Sequence, residues 1–125
     1  MAFNILLVDD SSVVRKIIRR ALLNTKFSIG EIYEAGDGLE ALALLRQHPV
    51  DAVLTDLNMP KMSGRELMAA IKAEEQWKNL PVILITTETR VDNVVDAVNK
   101  GATGYIKKPF TPADIESQLL PILGH

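Results

Sequence analysis

The chain has 125 residues, 47% hydrophobic and 24% charged, with 14 basic against 16 acidic residues for a net charge of -2. That length suits one domain with an ample core, and the slightly acidic balance excludes sequence-independent nucleic-acid binding, which needs a basic face. The absence of cysteine excludes disulfides, thiolate nucleophiles and zinc-thiolate clusters, which suits a cytoplasmic protein.

An apolar run, Ile5-Leu6-Leu7-Val8, predicts a first strand that stops at Asp9-Asp10. Beyond it, Val14, Ile17, Ile18, Ala21 and Leu22 recur at helical spacing while Arg15, Lys16, Arg19 and Arg20 face away, and Ser11 or Ser12 supplies the N-cap. A second strand around 31–35 leads through Gly36-Asp37-Gly38 into a helix that ends near His48, because Pro49 forbids continuation. Strand three covers 51–55. The loop from Asn58 to Gly64 opens a third helix that reaches about Glu74, and Leu80-Pro81 precedes strand four over 82–86. Trp77, in between, is read as a packing residue. A fourth helix is expected to pack through Val91, Val94, Val95 and Val98, and Gly101 and Gly104 bracket the turn into a fifth strand ending at Lys107. Thr111-Pro112 starts the last helix, with Ile115, Leu119 and Leu123 inward. Five strands alternating with five helices predict a parallel α/β sheet. No apolar run approaches the roughly 20 residues of a membrane span, and no basic leader precedes the first strand, so no signal peptide or membrane insertion is expected.

If the strands are parallel, Asp9, Asp10, Asp56 and Lys108 share the rim at their carboxyl ends, where open α/β sheets bind ligands. Carboxylates about 4 Å apart repel by roughly 4 kcal/mol per pair at an effective dielectric near 20. One lysine cannot neutralise three of them. Either a carboxyl takes up a proton or a hard, oxygen-seeking cation such as Mg²⁺ binds. His48 and His125 lie away from that rim and receive no chemical role.

The set Asp9-Asp10, Asp56-Leu57-Asn58-Met59-Pro60 with Gly64, Thr86-Thr87-Glu88 and Lys108-Pro109-Phe110 resembles the receiver domain of two-component response regulators. The resemblance spans essentially the whole chain and is strongest to the stand-alone chemotaxis members. It implies a flavodoxin-like (βα)5 doubly wound sheet of strand order 2-1-3-4-5, and a single receiver domain over 1–125 with no output domain. It also implies that Asp56 accepts a phosphoryl group from a histidine kinase, a phosphotransfer domain or a small acyl phosphate. Mg²⁺ or Mn²⁺ would be held by Asp10, by Asp9 through water, by Asp56 and by the backbone carbonyl of Asn58. Lys108 would pair with the phosphoryl group, Thr86 would donate a hydroxyl hydrogen bond to it, and the Lys108-Pro109 bond would be cis.

By the same resemblance, Tyr105 moves inward when Thr86 is drawn to the phosphoryl group. The face of helix four, strand five and helix five, with Arg90, Val94, Tyr105, Lys107 and Gln118, then changes its affinity for a target, foremost a flagellar motor switch protein. Asn58 and Glu88 would flank the water that hydrolyses the phosphoaspartate, and a phosphatase is a further implied partner. Thr87 stands where the family usually has a smaller residue, so its bulk would restrict access to Asp56. Lys107 adds a charge where an apolar residue is common.

Each residue alone has a plainer reading. Asp10 could cap the first helix, Thr86 could be a β-branched strand residue, Tyr105 an amphipathic one, and Lys108 or the basic helix face simply solvated. Joint placement at strand ends favours the site. A Mg²⁺-dependent phosphohydrolase could use the same rim, but those enzymes usually carry Asp-x-Asp at the first strand, and here Ser11 and Ser12 follow Asp10. A phosphate carrier in a multi-step phosphorelay and a phosphorylation-independent adaptor are rival functions compatible with the same residues. The expectation is a cytoplasmic signalling switch rather than an enzyme.

Overall fold

The computed structural model describes residues 2–57, 59, 61–87, 91–99 and 101–123, with backbone only at 91, 93, 94 and 97. In chain order these form β1 (Phe3–Val8), α1 (Ser12–Leu23), β2 (Ile29–Ala35), α2 (Gly38–Gln47), β3 (Ala52–Thr55), α3 (Gly64–Ala73), a 3-10 turn (Glu75–Trp77), β4 (Val82–Thr86), α4 (Val91–Asn99), β5 (Gly104–Lys107) and α5 (Pro112–Leu123). The strands pair in parallel in the order β2-β1-β3-β4-β5, the flavodoxin-like arrangement. The winding direction reverses between β1 and β3. That switch point opens a crevice at the carboxyl ends of both strands.

Strands buried on both faces must be apolar throughout, and strand phase sorts their side chains into two layers. Leu6, Val8, Val53, Val82 and Leu84 join Leu42 and Leu45 of α2, Leu67, Met68 and Ile71 of α3, and Trp77. Ile5, Leu7, Leu54, Ile83, Ile85 and Ile106 face the other way, onto Ile18 and Leu22 of α1 and Ile115, Leu119 and Leu123 of α5. Thr86 shares the phase of Val82 and Leu84. Tyr105 packs against that same first layer.

Local chemistry sets the helix starts. The Ser11 hydroxyl, not that of Ser12, caps α1 by accepting from the Val14 amide at 3.3 Å. Asp37 caps α2 through the Glu40 amide at 2.9 Å, and Ser63 with Glu66 forms a reciprocal capping box on α3. Gly101 takes φ of 120°, a region that side-chain-bearing residues avoid.

Three expectations from periodicity need correction. Ile17 is 54% exposed, because it lies about 100° around the helix from Ile18 and borders a shallow groove shared with Phe110 and Pro112. Val95 and Val98 are half exposed at 50% and 49%. Their helix leads to the edge strand β5, so the sheet covers less of its circumference; the side chains of Val91 and Val94 lie outside the described residues. Arg15 does not face away and is taken up below. Among the described residues no helix is long and apolar enough to cross a membrane.

Candidate functional site

Val8 and Thr55 are register partners, and the Asp56 amide donates to the Val8 carbonyl oxygen at 2.9 Å. Asp9 and Asp56 therefore leave the sheet side by side at the switch point. One carboxylate oxygen from each of Asp9, Asp10 and Asp56 lies within 4.8 Å of the others. Asp9 is buried, Asp56 half-buried and Asp10 exposed. From the far side of the crevice comes Lys108, whose amide donates to the Thr86 carbonyl oxygen at 2.9 Å and whose bond to Pro109 is cis. Its ammonium stands 3.0 Å from Asp9 Oδ2 and 3.3 Å from Asp56 Oδ2.

Burial pulls the Lys108 pKa down, but the Asp9 hydrogen bond and the charges of Asp56 and Asp9 together outweigh it, so the pKa stands above the ordinary lysine value. The ammonium keeps its charge, one cation facing three carboxyl groups. The donor set fits a hard divalent cation. Each of the three aspartates offers it one carboxylate oxygen. Asp9 Oδ1 also accepts from the Ser11 amide at 2.9 Å.

The backbone beneath Asp56 depends on Gly64. The Gly64 amide donates to the Leu57 carbonyl oxygen at 2.9 Å, and a Cβ on Gly64 would sit 2.1 Å from the Asp56 carbonyl oxygen. Only glycine lets α3 begin this close to the end of β3. The intervening loop turns at Lys61, whose φ of 65° is unusual for a residue with a side chain. Its ammonium lies 3.7 Å from Asp37 Oδ2 at the start of α2.

Thr86 is fully buried at the end of β4, and Tyr105 is half-buried beside Leu84, its register partner. The Tyr105 amide donates to Gln118 Oε1 at 3.4 Å. Thr87 and Lys107 are exposed. Asn58, Glu88, Arg90 and His125, and the side chain of Val94, lie outside the described residues. Far from the rim, His48 stacks on Tyr33 with ring centroids 4.4 Å apart, and Trp77 is buried beneath Arg46.

Arg15, which periodicity assigned to the solvated face, turns toward the site. Its Nη1 donates to the Asp9 carbonyl oxygen and its Nε lies 3.1 Å from Glu34 Oε1. The usable signal was positional. Arg15 falls one turn into a helix that starts directly after Asp9-Asp10, and Glu34 lies on the strand paired with β1.

Residues 5–120 match the family model described as the response regulator receiver domain. The chain belongs to that family. It is 43% identical over 115 residues to the chemotaxis protein CheY-3 of Vibrio cholerae, covering 92% of this chain and 87% of that one. Among solved structures, V. cholerae CheY4 superposes with a TM-score of 0.87 at 33% identity, covering 98% of this chain and 100% of that one. The Mn²⁺-bound form of response regulator Rcp1 does so with 0.81 at 29% identity, covering 97% and 94%. This receiver is thus of the CheY type found in two-component signal transduction.

Proposed function

We propose that this receiver is a cytoplasmic, phosphorylation-operated switch, with Asp56 as phosphoacceptor and the face of α4, β5 and α5 as output. The observation that carries the reading is the placement of the Lys108 ammonium between Asp9 and Asp56 at the switch point, in a rim that also holds the Asp10 carboxylate. A histidine kinase or its phosphotransfer domain is the donor. The similarity to chemotaxis proteins supports a flagellar motor switch protein as the target.

An Asp56 carboxylate oxygen attacks phosphorus, the bond from phosphorus to the donor's leaving atom breaks, and the leaving group departs with the electron pair. The product is a mixed anhydride, labile enough to serve as a signal. Asp10, Asp56 and the carbonyl of Asn58, with Asp9 through water, would hold Mg²⁺ or Mn²⁺. When bound, the metal neutralises charge on the phosphoryl oxygens. Lys108 exchanges its carboxylate partners for the new phosphoryl oxygens, which bring a charge of about -2 and three strong acceptors. The Thr86 hydroxyl donates to the same group. Drawing it there frees volume in the layer it shares with Tyr105, which moves inward and changes the output face. Asn58, Thr87 and Glu88 set how readily water reaches the phosphoaspartate.

Incubation with acetyl phosphate and Mg²⁺, followed by intact-mass measurement, tests this. The parent gains one phosphoryl group that hydroxylamine removes, and Asp56→Asn gains none. A parent left unmodified by both acetyl phosphate and kinase donors, or an Asp56→Asn protein modified equally at another residue, refutes the assignment.

A further inference from the structure

We infer that Arg15 is a positioning residue for the carboxylate cluster, holding the Asp9-Asp10 peptide in place through the Asp9 carbonyl oxygen while Glu34 fixes the direction of its guanidinium. The inference rests on the metal-binding reading of Asp9, Asp10 and Asp56 given above.

Arg15 is a residue of α1, yet its side chain is only 18% exposed, and it spans two neighbouring elements. Its Nη1 donates to the Asp9 carbonyl oxygen just beyond β1. Its Nε meets Glu34 Oε1 at 3.1 Å, and Glu34 Oε2 is held in turn by Arg19 Nη1 at 3.3 Å. Glu34 lies on β2, in register with Leu7 of β1. A continuous link thus runs from the sheet, through the guanidinium, to the turn that carries both aspartates.

The turn needs such a link because consecutive residues of an extended chain send their side chains to opposite sides. For Asp9 and Asp10 to bring carboxylate oxygens together, the peptide between them must be turned and kept turned. Asp9 is held at its carboxylate by the Ser11 amide and Lys108. Asp10 is exposed, so its direction depends on the peptide preceding it, and the carbonyl of that peptide is the group Arg15 holds. A planar guanidinium can serve two acceptors in fixed directions at once, which the point charge of a lysine cannot.

The test is Mn²⁺ binding to intact, folded protein, read from the loss of the free-ion electron paramagnetic resonance signal. The Ser11 amide resonance of the metal-free protein gives a second readout. Outer-sphere partners of metal sites are worth about 10- to 100-fold in affinity, and Arg15→Ala should weaken Mn²⁺ binding by about tenfold, the lower end of that range. The Ser11 amide should shift. Arg15→Lys should fall with Arg15→Ala. Glu34→Gln touches none of the three aspartates and should weaken binding in the same direction by less; it decides the question if Arg15→Ala does not fold. An arginine that served stability alone would lower the melting temperature and leave affinity at the parental value. Parental affinity with an unmoved Ser11 amide in Arg15→Ala, or in Glu34→Gln where that variant decides, overturns the inference and leaves the metal reading standing. Parental affinity in Arg15→Lys overturns it too, by assigning the effect to charge. A parent that binds no Mn²⁺, or an Asp10→Ala protein that binds as tightly as the parent, refutes the reading of the site and this inference with it.

Discussion

Replacing Asp56 by Asn should raise thermal stability when no divalent cation is present. The amide is nearly isosteric, so the change is electrostatic. Two oxygens 4.8 Å apart, the limit of the cluster, repel by about 3.5 kcal/mol at an effective dielectric near 20, and Asp56 has two such neighbours. Against this, the Lys108 ammonium at 3.3 Å attracts the Asp56 carboxylate by about 5 kcal/mol on the same scale. Setting both repulsions against the Lys108 attraction leaves a gain of about 2 kcal/mol, and solvent around the exposed Asp10 reduces it to about 1 kcal/mol. For a chain of this length that is about 4 °C in melting temperature. Calorimetry in EDTA at low ionic strength should find Asp56→Asn higher by this margin. The margin should shrink in high salt. It should close or reverse in saturating Mg²⁺, which stabilises the state that binds it better. An Asp56→Asn protein that melts at or below the parent in EDTA would show that attraction to Lys108 outweighs carboxylate repulsion, and the argument that the rim calls for a cation would fail.

Two further outcomes follow from the surrounding structure. Thr86→Ala should still accept one phosphoryl group from acetyl phosphate, since its hydroxyl does not attack, but the shift of the Tyr105 ring resonances on phosphorylation should fall well below that of the parent; an undiminished shift would break the proposed route from Thr86 to Tyr105. The Asp37 carboxyl is held below its usual value of 3.8, chiefly by the hydrogen bond from the Glu40 amide, against a smaller opposing effect of burial and with help from Lys61. Its contribution is therefore present above the unfolded value and lost as pH falls through the lowered folded one. Asparagine caps as well but does not titrate, so Asp37→Asn should lose less stability than the parent as pH falls below about 4, and urea midpoints falling in parallel would refute this.

Most of the fold was legible because a parallel sheet leaves its signature in the chain itself. Strands buried on both faces read as short apolar runs, and three strands here stop directly before residues that build the rim: Asp9 after Val8, Asp56 after Thr55, Lys108 after Lys107. Gly64 was visible as part of a motif, but its reason, a Cβ with no room beside the Asp56 carbonyl oxygen, exists only in three dimensions. The misreadings concentrate on helix borders. Periodicity gives the direction of an apolar stripe and not its width, so Ile17 and Arg15, one on each flank of the stripe through Val14, Ile18 and Leu22, were assigned the wrong way round. The apolar residue stayed in solvent and the charged one turned inward. What decided between them was a carbonyl oxygen and a carboxylate within reach of Arg15, and neither belongs to the helix itself.

The same register that gathers the acidic rim also bears on how a signal could leave it. Asp9 and Asp56 come from the two strands flanking the switch point, whereas Thr86 and Tyr105 belong to β4 and β5, farther along the sheet. Lys108 joins the two halves. Its amide is tied to the Thr86 carbonyl oxygen while its ammonium reaches back to Asp9 and Asp56. A group added at Asp56 would therefore compete directly for a side chain whose own backbone is paired to Thr86. Thr86 and Tyr105 share one layer while Asp9 and Asp56 lie at the crevice, and the short segment from Tyr105 to Lys108 gives a direct covalent path from one to the other.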